Sequence, residues 1–238
     1  MNNERNICLA LDTALDACSV GLAVWDGETR REASRSVVIG RGHAERLMDE
    51  IAALLEEEQL GYQDLTRLAV TVGPGSFTGL RVGLATARAL ALALDVPLIG
   101  ASTLFALGLT ARRRGHHGPL AALIDARRDQ IYGEIFNLPE IAPTLESLEV
   151  AAARSAQDFA SLCVAHRGLA MIGSGAALVR ESAFGLENCE VFSPAHPDMA
   201  ALAVWALDQS APETAPSPLY LRAPDAKPQA ASVIARLS

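Results

Sequence analysis

The stretch Leu68-Ala69-Val70-Thr71-Val72-Gly73-Pro74-Gly75-Ser76-Phe77-Thr78-Gly79-Leu80-Arg81-Val82-Gly83 decides how this chain is read. Residues 68–72 form a short apolar, β-branched run, which predicts a buried strand. Glycine and proline then break the pattern across 73–79, and residues 78–94 read as a long helix. A glycine-rich turn between a strand and a helix has two physical readings. In one, its backbone amides and the helix N-terminus form an anion cradle, which makes Gly73, Gly75, Ser76, Thr78 and Gly79 candidates for a phosphate or nucleotide contact, together with Asp12 and Thr13. In the other, the glycines only let strand and helix pack closely. The loop is not a Walker loop, because Leu80 follows Gly79 where that motif needs Lys.

Working outward, residues 7–11 read as a buried strand ending at Asp12-Thr13. Residues 17–25 and 29–38 supply two more strands around the Asp26-Gly27 hairpin turn. Leu47, Ile51, Leu54 and Leu55 share one side of a helix predicted over 44–58. With a strand at 96–100, the first hundred residues read β-β-β-α-β-α-β, a mixed sheet with helices on at least one face. The remainder repeats the order more loosely. Ser102 caps a helix through 113, a strand at 119–124 ends at Asp125, and 130–136 is its hairpin partner. A helix at 155–166 and a strand at 169–172 follow. The strand reaches Gly173-Ser174-Gly175, which is either a nucleotide-base loop or a helix entry. A last helix spans 198–208. Residues 137–147 and 210–218 read as loops, 219–222 as a tail placed to pair or dock, and the last dozen residues as a fraying end. Both halves hold a strand ending in Asp before a hairpin (Asp12, Asp125), so a duplicated α/β architecture is expected, with domains 1–100 and 101–238.

Composition narrows the function classes. The 238 residues are 50% hydrophobic but only 5% aromatic, so the core is built mostly from Ala, Leu and Val, and disorder is excluded. A net charge of −8 argues against a stand-alone nucleic-acid binder. The apolar run at 7–11 is too short for a signal peptide, and no uncharged run approaches the ~18 residues of a membrane span. The four cysteines form no CxxC pair. These features predict a soluble cytoplasmic protein with no membrane partner.

Several residue sets carry candidate chemistry. The two Asp hairpins are candidate phosphate clamps of the kind found in sugar kinases and actin-like ATPases, a task that needs glycine in the turn. Asp12-Thr13-Ala14-Leu15 and Asp125-Ala126-Arg127-Arg128 have none, so the clamps read as disabled. His43 opens a helix, but the i+4 position a second metal ligand would use is Leu47, and no metal is expected there. Arg112-Arg113-Arg114 is either a solvated loop or an RNA contact. The helix 80–94 carries two small-residue rows, Gly83/Ala87/Ala91 and Ala85/Ala89/Ala93, and is apolar nearly all round. It is therefore either fully internal or covered in part by a partner.

The 68–83 stretch, the opening Leu9-Ala10-Leu11-Asp12-Thr13, His43-Ala44-Glu45-Arg46-Leu47, Asp125-Ala126-Arg127-Arg128-Asp129-Gln130-Ile131-Tyr132 and Leu219-Tyr220-Leu221-Arg222 together resemble the bacterial TsaB (YeaZ) family, in order along most of the chain. The resemblance implies an actin-like/Hsp70-like ATPase (ASKHA) fold of two related subdomains with mixed sheets. It implies a non-catalytic subunit in tRNA threonylcarbamoyladenosine biosynthesis that heterodimerises with a metal-bearing paralogue, TsaD. TsaD transfers the threonylcarbamoyl group to adenosine beside the anticodon, TsaC makes the threonylcarbamoyl-adenylate, and a TsaE-type ATPase joins a larger complex. Contact with tRNA is then indirect. No cofactor is implied for the isolated chain, and a nucleotide belongs to the TsaD complex. TsaD holds its metal partly through a His-x-x-x-His helix, which Leu47 interrupts here. The family pairs through the two helices of the first subdomain, so His43, Leu47, Ile51, Leu54, Arg81, Gly83, Leu84, Ala87 and Ala91 are the expected interface. The same surface offers a homodimer when TsaD is absent. The competing classes are an ATP-dependent phosphotransferase of the same fold and a glycoprotease-like metallopeptidase.

Overall fold

The computed structural model describes residues 5–39, 42–141, 144–193 and 195–222. The last dozen residues therefore lie outside the described ones. The first sheet is built from β1 (Asn6–Asp12), β2 (Ala17–Trp25), β3 (Arg30–Val38), β4 (Arg67–Thr71) and β5 (Leu98–Ala101), in the order β3-β2-β1-β4-β5. β1, β2 and β3 form an antiparallel meander, and β4 and β5 run parallel to β1. The second sheet uses β6 (Gly118–Arg127), β7 (Gln130–Leu138), β8 (Glu146–Arg154), β9 (Ala170–Ile172) and β10 (Val191–Phe192), in the order β10-β9-β6-β7-β8. Strand for strand this is the same connectivity, so the duplication expected from the two Asp hairpins is present in the topology. The fold is α/β, with two related halves, each built on a mixed sheet.

Strand alternation builds the layers. Ile7, Leu9 and Leu11 of β1 face one side, where they pack with Leu47, Ile51 and Leu54 of α1 (His43–Glu57) and Leu84 and Ala87 of α2 (Phe77–Leu94). Cys8 and Ala10 face the other side and meet Met199, Leu202 and Ala206 of α6 (Met199–Leu207). The second sheet repeats the pattern. Ala121 and Leu123 pack with Phe159 of α4 (Ala156–Val164) and Val179 of α5 (Ala176–Arg180), while Leu120, Ala122 and Ile124 pack with Leu104 and Leu107 of α3 (Thr103–Arg113).

The central layer exchanges helices. α3 follows β5 in sequence but packs on β6, β7 and β9, whereas α6 closes the second half in sequence yet packs on β1, β2 and β4. A Cβ on Gly21 of β2 would lie 2.1 Å from the Met199 carbonyl carbon, so glycine there is what lets the α6 backbone lie directly on the sheet. Phe105 of α3 joins the two helices, its ring 5.0 Å from Trp205 of α6. The first sheet ends at residue 101 and the second begins at 118, and because of the helix exchange neither half packs alone.

Ser102 caps its helix as the sequence predicts, and Ser155 and Asp198 cap two more. Ser102 Oγ accepts from Phe105 N at 3.0 Å, Ser155 Oγ from Asp158 N at 3.1 Å, and Asp198 Oδ1 from Ala200 N at 3.0 Å. The expected loop at 137–147 is a correction: β7 runs to Leu138 and β8 begins at Glu146. β8 is an edge strand with no clean alternation, and its Ala-rich sequence carries little β signal. Among the described residues, α2 is one helix long and apolar enough, by length and composition, to cross a membrane. Its inner face of Leu80, Gly83, Leu84 and Ala87 is buried against this chain's own first sheet.

Candidate functional site

The glycine-rich loop joins β4 to α2, and the turn between β1 and β2 fills it. Ser76 N donates to Ala14 O at 2.7 Å, and Thr13 Oγ1 donates to Gly79 O at 2.7 Å. A Cβ on Gly75 would lie 2.3 Å from Ala14 O, and one on Gly79 would lie 1.9 Å from Thr13 O. These glycines admit protein backbone. Other amides at the helix entry are also engaged, Gly79 N by Ser76 Oγ at 3.3 Å and Leu80 N by Ser76 O at 2.9 Å. Asp12 is fully buried at the end of β1; its Oδ1 accepts from Ala14 N at 3.2 Å and from the Thr71 hydroxyl. Of the remaining loop candidates, Gly73 takes φ 109°, which suits glycine, and Ser76 and Thr78 are exposed.

The second hairpin is built differently. Arg127, Arg128 and Asp129 occupy consecutive left-handed positions with φ of 62°, 53° and 58°. L-residues adopt such positions at a cost of roughly 1–2 kcal/mol each. Asp125 Oδ1 holds the turn by accepting from Arg127 N at 2.8 Å, and Ser174 Oγ accepts from Asp125 N at 3.1 Å. Gly173-Ser174-Gly175 thus packs against the end of β6 and opens α5.

The helix pair corrects the expected interface. Leu47, Ile51, Leu54, Gly83, Leu84 and Ala87 all lie in the core between α1, α2 and the first sheet, none of the five with side chains more than 4% exposed. The Gly83 row exists for the hairpin turn: a Cβ at Gly83 would fall 2.5 Å from Thr13 Oγ1. Arg81 is exposed with its guanidinium 3.8 Å over the Phe77 ring, Ala91 is half-buried, and the side chain of His43 lies outside the described ones. The other small row faces out. Ala85, Ala89 and Ala93 are exposed beside Arg88 and Leu92, and Leu92 is 85% exposed. Ala44, Met48 and Ala52 are the exposed apolar positions described on α1. The i, i+4, i+8 spacing made this outward row visible in the sequence; its direction was not. Glu50, 1% exposed, ties α1 to β3 through Arg35 Nε at 2.8 Å and pairs along its own helix with Arg46 Nη2 at 2.8 Å.

Arg112, Arg113 and Arg114 bind the chain itself. Arg112 donates to Pro139 O at 3.1 Å, Arg113 pairs with Glu32 and with Asp198 at 3.2 Å, and Arg114 donates to Ser193 O. They tie the end of α3 to its neighbours, so the RNA-contact reading gains nothing from their arrangement.

Residues 37–168 match the family model described as TsaD, tRNA N6-adenosine threonylcarbamoyltransferase. An uncharacterized protein of Mycobacterium tuberculosis strain H37Rv is 34% identical over 224 residues, 93% of this chain and 94% of that one. The tRNA threonylcarbamoyladenosine biosynthesis protein TsaB of Escherichia coli K12 is 37% identical over 124 residues, 52% of each chain, so the match spans about half the length of that curated relative. Among solved structures, YeaZ from Pseudomonas aeruginosa superposes with a TM-score of 0.73 at 29% identity, covering 84% of this chain and 90% of that one.

Proposed function

The chain belongs to the TsaB (YeaZ) family, and from that premise we propose that it is a non-catalytic subunit of tRNA threonylcarbamoyladenosine biosynthesis, binding and supporting a TsaD-type paralogue in the cytoplasm. The observation that carries the non-catalytic part is the filled loop. With Thr13 and Ala14 seated against Gly75 and Gly79, the place where an active relative of this fold would hold phosphate is occupied by backbone. The metallopeptidase reading loses its second ligand position to Leu47, which is wholly buried.

The outward face of α1 and α2 supports the binding part. An alanine row flanked by Leu92 and Met48 lets a second helix approach within the ~8–10 Å of close helix packing. Arg81, Arg88, Asp49 and Glu56 give that face a polar rim. A homodimer through this face in the absence of the paralogue, and a TsaE-type ATPase in a larger assembly, belong to the same reading. A nucleotide would then sit at the paralogue complex and tRNA would be met through the paralogue.

The test is co-purification with the TsaD-type paralogue of the same organism, followed by tRNA modification with and without this chain. Modification should require the chain, and the chain alone should hydrolyse ATP no faster than buffer. Turnover by the purified chain at ~1 s⁻¹ or more would return the phosphotransferase reading.

A further inference from the structure

α2 ends in a residue that costs the helix stability on two counts. Asp95 takes φ 54° and ψ 45°, a left-handed conformation that a Cβ disfavours. Its carboxylate also stands at the negative end of an 18-residue helix, where a cation would be favoured. Among the described residues, no ion pair or side-chain hydrogen bond to Asp95 offsets either cost. A local rule broken without local compensation marks a residue kept for another role.

Its surroundings point to that role. Asp95 lines an open pocket of about 640 Å³ between the end of α2 and residues 211–215. Leu92, Val96, Pro97 and Pro212 make the walls mostly apolar. Arg88, the cation among the lining residues, lies about two helical turns before Asp95 and donates to Pro216 O. Glu213, exposed between two lining residues, adds a second carboxylate to that wall. Apolar walls that end at an unengaged carboxylate fit an aliphatic stem with a cationic head, which is the form of a lysine or arginine side chain.

Resting on the pairing proposed above, we propose that a lysine or arginine of the TsaD-type paralogue enters this pocket and pairs with Asp95. The pocket is continuous with the outward face of α2, because Leu92, 85% exposed, belongs to both. A helix packed along Ala85, Ala89 and Ala93 reaches the pocket where α2 ends. There the stem covers Leu92 and Pro97, and the charge of the head decides the fit. An acidic side chain would meet Asp95 and the negative helix end together, so the pocket selects partners by sign.

Calorimetric titration of the full chain with the paralogue of the same organism, at about 50 and about 500 mM NaCl, tests the pairing. Asp95→Asn keeps the shape, removes the charge and suits the left-handed position, so its melting temperature should be no lower than the parent's. Its affinity should fall about tenfold at the lower salt and no more than about threefold at the higher. Asp95→Lys should weaken binding further at the lower salt. Parental affinity and salt dependence in both variants, with the parent binding, would overturn the pocket and leave the docking face standing. An equal loss at both salts would also overturn it, because charge would then not be what the pocket reads. Failure of the parent itself to bind would overturn the docking face and the pocket together.

Discussion

Gly83→Leu and Ala85→Leu differ by two positions on one helix and should give opposite results. At Gly83 even the first added carbon would sit 2.5 Å from Thr13 Oγ1. Thr13 cannot retreat easily, because its hydroxyl donates to Gly79 O at 2.7 Å and its residue is 1% exposed. The substitution therefore overpacks the site, at about 1–3 kcal/mol, and disturbs a buried hydrogen bond that contributes about 1 kcal/mol. A combined loss of about 2–4 kcal/mol is a large share of the ~5–15 kcal/mol that holds a domain, and it lowers the melting temperature by roughly 5–15 °C. Ala85 is exposed, so leucine there should move stability by no more than ~0.5 kcal/mol. On the proposed docking face, that leucine should instead weaken capture of the TsaD-type paralogue. Thermal unfolding by circular dichroism and paralogue binding, measured on both variants, separate the effects. A parental melting temperature for Gly83→Leu would refute the packing argument, and parental binding by a folded Ala85→Leu would refute the docking face.

Asp26 offers a pH test: hydrogen bonds from Thr29 and Glu28 stabilise its charged form and lower its pKa from 3.8 to about 2. A depressed folded pKa means that the turn's support is present above the unfolded value and is lost as pH falls from about 4 toward 2; Asp26→Asn should flatten the stability–pH curve in that window. Burial pushes the Cys8 and Cys163 thiols up to about 12 and Cys18 up to about 11, so all three should resist a thiol reagent at pH 8 in the native protein and react once it is unfolded. Native labelling of Cys8 at the unfolded rate would contradict its place in β1. Asp95 ends α2 with φ 54° and ψ 45°, the left-handed conformation that glycine adopts without strain. Asp95→Gly should raise the denaturation midpoint by the equivalent of about 0.5–1 kcal/mol, also removing a carboxylate from the negative end of the helix dipole.

Much of the fold was legible because local physics and the final environment agree. Residues 7–11 and 68–72 are apolar but for Thr71 because helices cover both faces of their strands, and Asp26-Gly27 can scarcely be anything but a turn. Ser102 announced its helix by capping chemistry that needs no tertiary partner. β8, α5 and β10 escaped for the opposite reason. β8 is an edge strand whose pairing partner, β7, defines it, and helices or strands of five and two residues carry no readable period.

The candidate site divides the same way. Sequence alone determined that α2 carries two small-residue rows, that the hairpin turns lack glycine, and that Leu47 stands at the second ligand position. Tertiary structure alone decided which row faces out. Both rows have the same chemistry and spacing, so nothing within the helix distinguishes them; the choice rests on Thr13, some 70 residues away, taking the space beside Gly83. It also decided what the glycine-rich loop holds. A strand–glycine–helix turn accepts an anion or a peptide backbone equally well, since both need only the missing Cβ, and here the turn carrying Thr13 and Ala14 arrives from a distant part of the chain to fill it.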